Sequence, residues 1–319
     1  MAELPSFQVE AKTISTAVDV EQLDTNLFRS KSLWIPFRAR GVFGGQVISQ
    51  ALASATRCVH AAYGLHSLHC YFLLSASPAI PILYHVDRVR EGRTYCTRAV
   101  RAVQNGRTIF VMLCSFQKPE LNQPNYQWPM PSNVHSPDAC KAVHARALTV
   151  IQEPSVDPFV KAYLSDYVQE REQSPFEIKN AGSQVSESGV KFYMYWFRAK
   201  NIPQYEASFQ KCILGYISDS HFIGVAARTL GIDRWKKPPK HMSMMSTLDH
   251  SIYFYDDNFD CGDWLLYVIS CPRASSGRAV VHGRMYSTDG VLIAAMSQEG
   301  VLRVSNKDPT DEAQEMAKL

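Results

Sequence analysis

Asp219, Thr247 and Gln298 are polar side chains standing where an apolar or neutral one would be expected, in the segments YISDSHFIG, STLDHSIYF and LIAAMSQEG. Asp219 is read at the start of a helix running from about Ser218 to Leu230. A carboxylate held there stays ionised, because the first-turn backbone N–H groups are free and the helix dipole favours negative charge. Such a group orients a water molecule and takes its proton, and the same N–H groups polarise a carbonyl. The position equally suits a plain helix cap. Thr247 opens a strand, where threonine is common on packing grounds alone; its hydroxyl is also able to hold a water. Gln298 ends an apolar strand, where its amide either satisfies backbone or faces a ligand. Each residue taken alone has a structural explanation.

Other constellations carry less. His66 and His69 point to opposite faces of a regular strand and would not chelate one ion, and Asp249 and His250 likewise part company. The 8 cysteines show no C-x-x-C pair and no zinc spacing. Cys70, Cys96, Cys114 and Cys271 sit in strand-like runs, the pattern of reduced, buried thiols in an intracellular protein. No metal and no cofactor is expected. A nucleophile elbow, a P-loop and a dinucleotide fingerprint are all missing from the sequence.

The elements that position these residues occur twice. Gly44-Gly45-Gln46 opens a helical run, VISQALASATRCV, whose small residues predict a slim, buried helix. Four strand-like segments follow, LHSLHCYFLL, PILYHVDRV, RTYCTRAVRAV and RTIFVMLCSF. Asn105-Gly106 joins the last two as a hairpin. The second half repeats the order, from VKFYMYWFRA through a helix to TLDHSIYFY, WLLYVISC, RAVVHGRMYS and VLIAAMSQ. Ser67 then matches Thr247, and Gln117 matches Gln298. The first half offers no acid in its first helical turn, so one active site per chain is expected, with the first half supplying walls and glycine-exposed backbone. Between the halves, Lys118 to Pro137 reads as a surface linker, followed by helices over Asp138 to Ile151 and Phe159 to Arg171. Lys236 to Lys240 is a shorter exposed break. Two copies of one helix-and-antiparallel-sheet module imply an α+β chain whose halves pair side by side to cover their sheet edges.

Composition sets the outer bounds. In 319 residues, 46% hydrophobic and 20% charged describe a folded globular chain. A net charge of +3 excludes the strongly basic face of a dedicated nucleic-acid binder. No run approaches the roughly 20 apolar residues of a membrane span, and the N-terminus lacks the apolar core of a signal peptide.

The motifs FGGQVISQAL, LHSLHCYFL, YISDSHFIG, STLDHSIYF and VHGRMYSTDGVLIAAMSQEGVLRV, in this order, resemble the acyl-coenzyme A thioesterase II family from about Leu23 to Val304. The resemblance implies a tandem (double) hotdog: two long helices, each wrapped by a curved antiparallel β-sheet. It implies a first hotdog over 1–117, a linker with helices over 118–174, a second hotdog over 175–305 and a flexible tail over 306–319. The family sets an acid, a hydroxyl and a glutamine amide around one water, and these fall on Asp219, Thr247 and Gln298 as catalytic residues. The implied reaction is hydrolysis of fatty acyl-CoA to free fatty acid and coenzyme A by direct attack of that water. The phosphates of coenzyme A would find Arg88, Arg90 and Arg93 nearby, although exposed strand arginines are usually just solvated. Two rivals stand beside this reading. A hotdog enoyl-CoA hydratase would pair Asp219 with His221, and a non-catalytic acyl-CoA-binding module would bind without turnover. The terminal Ala317-Lys318-Leu319 is a one-residue variant of the Ser-Lys-Leu tripeptide read by the peroxisomal import receptor, which predicts the peroxisome matrix. Hotdog sheets commonly associate further, so a homo-oligomer is expected as well.

Overall fold

A computed structural model describes residues 13–37, 39–233 and 239–305. The tail read over 306–319, with its terminal tripeptide, and part of the Lys236–Lys240 break lie outside these residues. The first half begins with α1 (Ile14–Val18), β1 (Val20–Asp24) and β2 (Leu27–Ser30). It continues through α2 (Gly44–Thr56), β3 (Gly64–Phe72), β4 (Leu83–Glu91), β5 (Tyr95–Gln104) and β6 (Arg107–Gln117). The connecting segment carries β7 (Lys141–Ala142), α3 (Ala145–Gln152) and α4 (Pro158–Gln173). The second half contains β8 (Phe176–Val185), β9 (Lys191–Ala199), α5 (Ala207–Ser218) and α6 (Gly224–Leu230). It ends with β10 (His241–Thr247), β11 (Asp249–Phe254), β12 (Leu265–Ser275), β13 (Arg278–Tyr286) and β14 (Leu292–Ser305).

All the strands join one antiparallel sheet of order β1-β2-β4-β5-β6-β3-β11-β14-β13-β12-β9-β8-β7, with β10 added on β14. The seam between the halves is the β3–β11 ladder, in which His69 faces Ser251 and Leu68 faces Ile252. Pairing there removes the open edge that each half would present alone. The Asn105-Gly106 turn has φ of 50° and 71°, the left-handed pair required by a tight hairpin whose twist matches its strands.

One expected helix is displaced. The second long helix, expected over Ser218 to Leu230, spans Ala207–Ser218 instead, and a turn separates it from the short α6. His221, at φ 63°, lies in that turn. The apolar spacing continues through the turn as Phe222, Ile223 and Val225, all buried, so periodicity alone does not mark the break. The helix expected from Asp138 begins instead at Ala145, after a short 3₁₀ turn and β7.

The helices α2 and α5 form the centre of the molecule, buried along nearly their whole lengths. They approach closely at Gly215, where a Cβ would lie 3.0 Å from Leu52 Cδ1 and 3.4 Å from Ile48 Cγ2. Strand alternation divides the packing. Tyr193, Tyr195 and Phe197 of β9 face the helices, while Met194 and Trp196 face outward against Met130 and Val134 of the connecting segment. Trp196 Nε1 donates to His135 O at 2.9 Å, tying that segment down.

Candidate active site

The start of α2 meets the end of α5, and this junction gathers the polar residues. Asp219 is the C-cap residue of α5. The expectation that it opens a helix is therefore corrected: the free N–H groups beside it belong to α2, in the other half. Gly45 N donates to Asp219 Oδ2 at 3.0 Å. A carboxylate at the end of its own helix is disfavoured by that helix's dipole, and the N-terminus of the opposing helix offsets this.

Gln298, on β14, bridges the other two residues. Its Nε2 donates to Asp219 Oδ1 and to Thr247 Oγ1, each at 2.7 Å. The Thr247 hydroxyl also hydrogen-bonds the carboxylate. Asp219 thus accepts from a backbone amide, a side-chain amide and a hydroxyl. With about four lone-pair sites on a carboxylate, roughly one is left for a further donor. Burial raises the Asp219 pKa above the ordinary carboxylate value, and the three donors from Gln298, Gly45 and Thr247 oppose that rise. Gln298 is sealed from solvent, whereas Asp219 and Thr247 each keep a partly exposed edge. Gln298 Oε1 is a buried acceptor with no protein partner among the described residues. A water or substrate hydrogen would satisfy it.

Thr247 does not open the strand expected of it. It ends β10, and β11 begins at Asp249. The break is held by Asp249, whose Oδ1 accepts from Glu299 N at 2.8 Å, the residue after Gln298. His250, the next residue, turns inward and meets Ser218 Oγ at 3.0 Å through Nε2. Tyr267 Oη donates to Ser218 O at 2.8 Å, fixing the last turn of α5 from another side.

The glycines that open α2 are required by this junction. A Cβ on Gly44 would lie 2.6 Å from Asp219 Oδ2, and one on Gly45 would lie 2.3 Å from Tyr216 O. Gly-Gly at a helix start was legible in the sequence; the residue it makes room for was not. His221 stands apart from the network. Its ring packs on Tyr195 and Phe197, and no hydrogen bond links it to Asp219 among the described residues. Burial, with the nearby Arg171 and Arg228, pushes its pKa down to about 3.

The ladders also correct the internal matches. Leu73 N donates to Ile109 O as Tyr255 N donates to Ile293 O. Counted from those carbonyls, Gln298 corresponds to Cys114 and Gly300 to Phe116. Thr247 faces Gly300 as Leu65 faces Phe116, so Thr247 corresponds to Leu65. Ser67 and Gln117 do not occupy the equivalent places; Leu65 and Cys114 do, both buried.

Residues 32–117 match the family model described as the acyl-CoA thioesterase N-terminal domain, and residues 137–302 match the acyl-CoA thioesterase C-terminal domain. The chain is 33% identical over 305 residues to acyl-coenzyme A thioesterase 8 of Homo sapiens, covering 94% of this chain and 92% of that protein. It is 24% identical over 311 residues to peroxisomal acyl-coenzyme A thioester hydrolase 1 of Saccharomyces cerevisiae, covering 83% of this chain and 86% of that one. The crystal structure of an acyl-CoA thioesterase II from Mycobacterium marinum superposes with a TM-score of 0.71 at 29% identity, covering 92% of this chain and 97% of that chain.

Proposed function

The chain belongs to the acyl-CoA thioesterase family, and from that premise we propose that its acyl-CoA hydrolysis runs on Asp219, Thr247 and Gln298. Water attacks the thioester carbonyl carbon, and the Asp219 carboxylate takes the proton released. Thr247 and Gln298 hold both the carboxylate and the water. The Gly44 amide, at the first position of α2, has no acceptor within its own helix and suits the developing oxyanion. Collapse breaks the C–S bond, and the thiolate leaves and takes up the proton from Asp219. A thiol pKa near ~8.5 makes it a good leaving group, so the site needs no strong acid.

One observation carries this reading. A largely buried carboxylate is held by three donors yet keeps an open edge and a spare acceptor site, which is the arrangement of a base awaiting a water. The hydratase reading is less supported, because His221 is packed between aromatic rings and unconnected to Asp219. A binding module would not need the bridged network. The test is release of free thiol from saturated fatty acyl-CoA across chain lengths, combined with rapid quench at near-stoichiometric enzyme. An acyl adduct on Thr247 or Asp219 with a thiol burst would replace direct water attack by an acyl-enzyme route.

The peroxisome matrix is part of the same proposal. It is supported by the Ala317-Lys318-Leu319 tripeptide and by the name of the yeast relative. The partner implied is the import receptor. Deleting 317–319 should leave turnover intact and strand the protein in the cytosol; peroxisomal retention of a truncated protein expressed alone would reject the address.

A further inference from the structure

His250 is buried at 1% exposure on β11, in the strand that crosses from Thr247 beneath the end of α5. Its Nε2 meets Ser218 Oγ at 3.0 Å, and the Ser218 hydroxyl lies 2.8 Å from Gly215 O. Ser218 has one proton. Given to Gly215 O, it leaves Oγ free to accept from His250 Nε2–H, with the bare Nδ1 lone pair facing inward. The opposite assignment would leave Nδ1–H as a buried donor with no partner among the described residues, the costlier arrangement. The ring therefore donates through Nε2 to the last residue of α5, the one immediately before Asp219.

We propose that His250 is a positioning residue for the hydrolysis: by donating Nε2–H to Ser218 it fixes the end of α5 so that the Asp219 carboxylate meets Gly45 N and Gln298 Nε2. This rests on Asp219 being the base. Three groups hold this helix end from different sides: Tyr267 on the Ser218 carbonyl, His250 on its hydroxyl, and the α2 amide on the carboxylate that follows. His250 itself touches neither Asp219 nor Gln298 by a hydrogen bond. Burial pushes its pKa down to about 3, so the ring remains a neutral donor through the neutral range and is unsuited to shuttle protons there. Asp249 beside it clamps the Gln298 strand through Glu299 N, so consecutive residues of one strand steady two members of the network.

The chemistry of the side chain supplies a discriminating test. A glutamine amide nitrogen takes roughly the place of Nε2, whereas an asparagine amide nitrogen takes the place of Nδ1 and falls short of Ser218. Purified His250→Gln, His250→Asn and His250→Leu would be assayed for kcat and KM on a saturated acyl-CoA, with thermal melts alongside. The expected result is a kcat lowered about 10- to 100-fold in the Asn and Leu variants, in line with a misplacement of ~1 Å at a reacting group. KM should change little, and His250→Gln should recover kcat to within about threefold of wild type. Ser218→Ala removes the acceptor from the other side. It should lower kcat similarly, and combining it with His250→Leu should add little further loss. Equal kcat for the Gln and Asn variants, or full additivity of Ser218→Ala with His250→Leu, would overturn the proposal. Should the His250 variants fail to fold, wild-type turnover by Ser218→Ala would overturn it as well. Retained turnover by Asp219→Asn would instead reject the base assignment on which it stands.

Discussion

Replacing Asp219 by asparagine keeps the side-chain volume at the junction of α2 and α5 while removing the charge. General-base assistance is worth about 10²–10⁴ in rate, or ~3–5 kcal/mol of barrier, so kcat on any acyl-CoA should fall by at least that lower factor. The fold should not suffer. Burial raises the folded pKa of Asp219, so the folded chain holds this proton more firmly than the unfolded chain does. Stability from this group is thus fully present below the ordinary value of ~3.9 and is lost as pH rises through the raised folded value. At neutral pH the wild type bears an ionised carboxylate that burial disfavours, and the variant does not. Gln298 is able to turn its amide and offer the otherwise unpartnered Oε1 to the asparagine amide. The melting temperature of Asp219→Asn at pH 7 should therefore equal or exceed that of wild type. The wild-type rate should rise with pH through the Asp219 pKa, an acid limb displaced upward from the ordinary aspartate value that the variant lacks. His221 and His250, both pushed down to about 3, contribute no limb near neutrality. Thiol release followed by a chromogenic disulfide, with calorimetry on the same samples, measures all three. Turnover within tenfold of wild type would refute the reasoning, as would a loss of activity explained by unfolding.

Thr247→Ser should keep much of the activity and Thr247→Val should lose at least tenfold at similar stability, since only the former retains the hydroxyl between Gln298 and Asp219; steady-state kinetics on both variants decide it. Gly45→Ala should lower both stability and turnover. A Cβ 2.3 Å from Tyr216 O forces the two central helices apart, an overpacking cost of about 1–3 kcal/mol that a denaturant melt will register.

The strands were legible because a half-buried strand writes its alternation into the sequence, and tight turns demand residues such as Asn105-Gly106. Register was not. A shift in the β3–β6 ladder falls between Leu65 and Ser67, and an irregularity of that kind changes which residues face each other without leaving a mark in composition. Matching Ser67 to Thr247 and Gln117 to Gln298 by residue type therefore missed Leu65 and Cys114. The same limit applied to α5. A helix buried all round has no polar face to announce its span, so its period merged with that of α6 across the turn at His221. Asp219 is thus expected beside Thr247 and Gln298, with which the structure brings it together, but at the wrong end of a helix.

That displaced helix end changes what the duplication does. Had Asp219 opened its own helix, each half would hold a complete set of parts, and the first would merely have lost its acid. With α2 and α5 meeting end to start, the carboxylate on the second half is held by an amide of the first, and neither half alone contains the junction. The two-fold relation between the halves generates a second such junction, where the end of α2 meets the start of α5. There Leu65 and Cys114 stand in the places of Thr247 and Gln298, burial pushes the Cys114 thiol well up, and the buried Lys211 donates to Leu65 O at 2.6 Å. At the other, Gln298 Oε1 remains buried and unpartnered, and Asp219 remains an ionisable group in a place that penalises charge. The duplicated junctions have thus diverged in charge: the Asp219 carboxylate stands at one, and at the other the buried Lys211 ammonium donates to Leu65 O.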